Sequence, residues 1–157
     1  MLKMIAAVSV LAITSAIMTG CNDKDGSKES AAKVTNYATD KCAIDSIGGK
    51  TGSTVYLAKG MAQFNGWAID TANQRAPKEI RLRLTGYKGT PVTFKDPVIV
   101  DRPDLIKAFG NENLLKSGFS FSADLSSLES GGYSVVTEIP GDHSSLLCQS
   151  KVLLVIE

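Results

Sequence analysis

The chain predicts an all-β sandwich, and two observations carry the prediction. Apolar and polar residues alternate over several short runs, the period of a half-buried strand. Glycine, proline, serine and aspartate cluster between those runs, as turns require. Charge is nearly balanced, with 17 Lys and Arg against 16 Asp and Glu and a net +1. No basic stripe interrupts the alternation, so nucleic acid, which is held by neutralising phosphates, is excluded as a partner class.

The sandwich is preceded by two other segments. Lys3 and the apolar residues 5–18 have the layout of a secretory signal: a positive start, then an apolar stretch too short to cross a bilayer comfortably. The stretch closes on Met18-Thr19-Gly20-Cys21. That ending resembles a bacterial lipoprotein signal. The resemblance implies that residues 1–20 are removed and that Cys21 is lipidated and becomes the new N-terminus. It places the protein on the cell membrane or outer membrane, lipid-anchored and facing the periplasm or the exterior. Asn22, rather than Asp, after the cysteine favours the outer membrane in a two-membrane cell. The alternative is an ordinary signal peptide with an incidental cysteine. Residues 21–41 read as a lipidated, flexible tether, because Val34 and Tyr37 are their only sizeable apolar residues. Residues 42–157 remain as one domain of ordinary size.

Within the domain, residues 55–57 and 62–70 are the first strand candidates, with Gly60 and Gly66 marking a bulge or a weak point. Residues 79–84 alternate strictly and turn Ile80, Leu82 and Leu84 inward. Residues 90–94 and 98–100 flank Pro97, which places them at an edge or a bulge. Residues 103–109 form one short helix, with Pro103 in its first turn and Gly110 as its stop. Phe119, Phe121, Ala123 and Leu125 face in along the next strand, and Tyr133, Val135, Thr137 and Ile139 along another. Residues 151–156 are apolar on both faces, as in a central strand.

Cys42 and Cys148 form an even pair in an exported protein, which reads as a disulfide joining the start of the domain to its end. The rival readings are a metal pair or a reactive thiol. A metal site is the poorer fit, since no third cysteine or nearby histidine completes a ligand set. The sequence points to no cofactor.

Leu128-Glu129-Ser130-Gly131-Gly132-Tyr133 has the spacing of a tyrosine corner, in which the phenol bonds back to upstream backbone. The antibody-type cysteine two residues later is replaced by Val135. A wider set of marks follows the same order along the chain: Cys42-Ala43-Ile44-Asp45 with Gly48 and Gly49, Gly66-Trp67-Ala68-Ile69-Asp70, Arg102-Pro103-Asp104, Phe109-Gly110, Ser117-Gly118-Phe119, Tyr133 and Cys148. Together they resemble a small bacterial extracellular immunoglobulin-like module found in lipoproteins. The resemblance implies an immunoglobulin-like β-sandwich and carries no activity with it.

Trp67 is the single tryptophan. It reads either as a core plug or as an exposed platform for stacking a sugar. Arg102 has two readings as well. It pairs with Asp70 and locks the turn before the helix, or it joins Asp104 and Trp67 in a polar rim that binds a glycan or peptide. Arg81 and Arg83 share one strand face near Lys88, and read as a solvated sheet surface. Asp142, His143 and Ser144 hold the residue types of an acyl-transfer triad, but adjacent residues splay apart, and a turn is expected. Gly49-Lys50-Thr51 is not a phosphate loop, since position 44 is Ile44 and not glycine. Asp23 and Asp25 are too few for a calcium loop.

The expected function is a non-enzymatic binding or interaction module. It is tethered to the membrane through lipid at Cys21, and its partner is an envelope protein or polysaccharide. The alternative is a small enzyme, or enzyme accessory, that acts on envelope glycans through carboxylates.

Overall fold

The computed structural model describes residues 34–157. The signal, Cys21 and residues 21–33 of the expected tether lie outside the described residues. Ten strands make two sheets: β1 (Thr35–Ala38), β2 (Cys42–Ile47), β3 (Thr54–Leu57), β4 (Met61–Ala68), β5 (Arg81–Gly86), β6 (Val92–Phe94), β7 (Val98–Val100), β8 (Gly118–Asp124), β9 (Gly131–Pro140) and β10 (Ser144–Ile156). One sheet runs β1-β10-β9-β5-β6, with β3 also paired to β10. The other runs β2-β4-β8-β7. The expected all-β sandwich is therefore the observed architecture.

Alternation decides what lies between the sheets. Leu82 and Leu84 of β5, Val135 of β9 and Leu154 of β10 face Phe64 of β4 and Phe119 and Phe121 of β8, all essentially sealed from solvent. The two β8 phenylalanines meet edge to face at 5.4 Å. Gly66 is required for space, since a Cβ there would come within 2.8 Å of the Phe119 ring.

Pro97 was expected to mark an edge, and β6 and β7 on either side of it are edge strands of opposite sheets. The chain crosses between them through Asp96, at φ 56°. Helix α1 (Pro103–Phe109) has the expected bounds, and Gly110 ends it in the left-handed conformation at φ 65°. Tyr133 Oη donates to the Glu129 carbonyl at 2.8 Å, the back-bond expected of a tyrosine corner. Cys42 and Cys148 are disulfide-bonded, with Cα atoms 6.2 Å apart, and join β2 of one sheet to β10 of the other.

One boundary is corrected. Residues 34–41 were assigned to the flexible tether, yet Thr35–Ala38 form β1, parallel to β10 from Ser144 to Leu147. All four β1 side chains are exposed. The strand is held by backbone hydrogen bonds, so it has no hydrophobic pattern to betray it.

Candidate functional site

The predicted rim residues Trp67, Arg102 and Asp104 lie on the outer side of the β2-β4-β8-β7 sheet. Along β4, Phe64, Gly66 and Ala68 face the core, so alternation turns Trp67 outward. There it is half-buried against a satellite cluster of Ile69, Leu105 and Leu114. Phe109, at the end of α1, tilts against it with ring centroids 6.2 Å apart. Trp67 is thus neither a plug of the main core nor a free platform. The more open ring is Phe109, 45% exposed, with Lys41 Nζ 5.8 Å from its centroid. Beside it lies a shallow pocket of about 330 Å³ with Ile69 and Leu114 among its apolar lining and Gln74 among its polar lining.

Arg102 is a fastener. Its stem lies flat on β8, where a Cβ on Gly118 would come within 2.8 Å of the Arg102 Cγ. Its Nε and Nη2 donate to the two carboxylate oxygens of Asp104 at 2.9 and 2.7 Å. Nη1 donates to Asp45 at 2.7 Å. Asp45 sits at the register shift of β2, between Ile44 and Ser46, where it has no cross-strand partner. The Arg102 side chain is 18% exposed. The hydrogen bond from Arg102 holds the Asp104 carboxyl below the usual carboxylate range, helped by charge attraction. The same bond raises the Arg102 guanidinium further above its already high value.

The expected Arg102–Asp70 pair does not form. Asp70 begins a tight turn in which its backbone pairs with Arg75, and its carboxylate accepts from the Asn73 backbone N–H at 3.1 Å and side-chain amide at 2.7 Å. The local turn captures the carboxylate before Arg102 can reach it.

His143 lies exposed in the β9–β10 turn, closed by Gly141 N–H to the Ser144 carbonyl at 2.7 Å. Asp124 is held below the ordinary range by the Ser126 hydroxyl and backbone N–H. Among the described residues no three of His, Cys, Asp and Glu gather as a metal site.

The two arginines of β5 differ. Arg81 pairs with Glu79 at 2.7 Å and approaches Glu138 at 4.0 Å. Arg83 has neither partner, and its Nε is buried without a hydrogen bond among the described residues. It lines an open groove of about 610 Å³ beside the disulfide.

Sequence reasoning missed Phe109 and the isolation of Arg83. Phe109 was within reach of it. Four residues after Leu105, it shares that residue's helix face and so the neighbourhood of Trp67. Nothing in the alternation of β5 separates Arg83 from Arg81.

No protein-family model matches the chain, and no curated protein matches it.

Proposed function

We propose that this protein is a lipid-anchored, non-enzymatic binding module of the bacterial cell envelope, in which an immunoglobulin-like sandwich presents its surface to an envelope protein or polysaccharide. The observation that carries the reading is a filled, disulfide-stapled sandwich whose described concavities are open surface grooves. A rigid frame of this kind suits recognition, since little conformational freedom is lost on binding. The disulfide suits an oxidising compartment, as the signal-like N-terminus and Cys21 require. The rival glycan-cleaving reading needs a carboxyl kept protonated near neutral pH. Among the described residues, Asp104 and Asp124 are displaced from their ordinary range, and both move toward the charged form.

The test is in-cell crosslinking of the C-terminally tagged chain, followed by mass spectrometry of what co-purifies. A reproducible envelope protein or glycan partner supports the proposal. A folded protein that captures no partner and hydrolyses an envelope glycan overturns it. Anchoring is checked separately: Cys21→Ser should abolish incorporation of labelled palmitate and release the protein from the membrane fraction.

A further inference from the structure

We infer that the groove beside the disulfide docks an extended, acidic peptide segment of a partner protein, a proposal that rests on the binding-module reading. Strand β10 is paired along one side by β9, apart from a bulge between Gln149 and Leu153. Its other side is shared by two short parallel strands. β1 pairs with it up to Leu147, and β3 pairs with it from Leu153. Between them, residues 148–152 have no strand partner on that side among the described residues.

The hydrogen bonds at the two ends of this gap fix which backbone groups face it. Thr39 N–H donates to the Leu147 carbonyl at 3.0 Å, and Leu153 N–H donates to the Ser53 carbonyl at 2.9 Å. Gln149 lies two residues beyond Leu147, with regular pairing to β9 in between, so its N–H and carbonyl point to the same open side. An unpaired strand edge is a template for an added strand. The gap has room for about two to three residues of extended chain at strand rise, centred on Gln149.

Side chains specify what that strand carries. The groove is lined by apolar Ile44, Val136 and Leu147, and by Arg83, Lys151 and Asp40. Its charge is therefore two cations against one carboxylate, and Asp40 already approaches Lys41 at 3.8 Å. Arg83 brings a buried, unmet Nε donor and no ion pair among the described residues. A glutamate or aspartate on the incoming segment pairs with the Arg83 guanidinium where it lines the groove and balances the charge, while its apolar neighbours cover Val136 and Leu147. The Cys42–Cys148 bond lines the same groove and ties its two walls together before anything binds.

The experiment selects displayed random heptapeptides against the purified full chain, then measures the affinity of selected peptides by titration. The expected result is enrichment of Asp or Glu among the binders, and a loss of about tenfold or more in affinity for Arg83→Gln but not for Arg81→Gln. The amide resonance of Gln149 should shift on titration, a readout independent of any substitution. An unchanged circular dichroism spectrum and Tm for Arg83→Gln confirm that the variant is folded. Absence of binders, binders without acidic residues, or equal affinity for Arg83→Gln overturns the inference. A photo-crosslinker in place of Gln149 or of Phe109 in the intact membrane-tethered chain separates the two proposals. A protein partner captured from position 109 alone, or a polysaccharide captured from either position, overturns the peptide groove and leaves the binding module standing. No adduct from position 149 overturns the peptide groove, and a folded chain that captures no partner and hydrolyses an envelope glycan overturns both.

Discussion

The outer surfaces of the two sheets each carry an arginine, and their surroundings are opposite. On the four-stranded sheet, Arg102 lies flat over Gly118 and gives three hydrogen bonds to Asp45 and Asp104, while α1 covers Trp67. On the six-stranded sheet, Arg83 stands at an open groove, its Nε unmet and the β10 edge beside it unpaired among the described residues. The difference teaches that residue type does not separate a structural cation from a binding one. What separates them is whether the donors are satisfied within the fold. A satisfied guanidinium fastens elements together, whereas an unsatisfied one loses water contacts without compensation until a ligand arrives.

The two regions are joined by Cys42–Cys148, and breaking that bond should have the largest effect. The sequence separation is 106 residues, so the crosslink restrains a long loop in the unfolded chain. Replacing both cysteines by alanine should cost about 2–5 kcal/mol in urea unfolding. Stability equal to that of the parent would mean the staple does not hold the sheets together.

Arg102→Ala comes next. It removes three charge-assisted hydrogen bonds and leaves two carboxylates unpaired, and should cost about 1–2 kcal/mol, since the group is partly solvated. The pH dependence gives a sharper form of this test. The folded Asp104 carboxyl is lowered, so its contribution is present above the unfolded value and is lost as pH falls through the folded one. The Tm gap between parent and Arg102→Ala should therefore be wide at neutral pH and narrow in acid. A gap that stays constant would remove Asp104 from the fastening. Arg102 itself adds no dependence there, because its raised value lies far above this window.

Arg83→Met should have the smallest effect. It deletes a buried, unmet donor and keeps an apolar stem, so stability should hold or rise by about 0.5 kcal/mol. A loss as large as that of Arg102→Ala would erase the contrast between the two faces.

Much of the frame was legible from the chain. Strict alternation reveals β5, β8 and β9 because each has one face in the core, and Pro103 and Gly110 bracket α1 by their backbone preferences. The parts that stayed hidden share a cause. β1 buries no side chain, so its pairing with β10 leaves no mark on residue choice. The partner of Arg102 depends on a β2 bulge that leaves Asp45 without a cross-strand partner, and on a local turn that occupies Asp70. Trp67 was half legible: Phe64, Gly66 and Ala68 set the inward parity of β4, and Trp67 falls on the other phase. The groove at Arg83 arises beside two short strands that leave β10 without a strand partner between them among the described residues, a matter of topology that no local pattern encodes.

The most direct measurement is photo-crosslinking from position 149 in cells, compared across parent, Arg83→Gln and Arg81→Gln. The account predicts one discrete protein adduct that is present in the parent, retained in Arg81→Gln and lost in Arg83→Gln. An adduct that persists without Arg83, or none in the parent while the protein is folded, would contradict it.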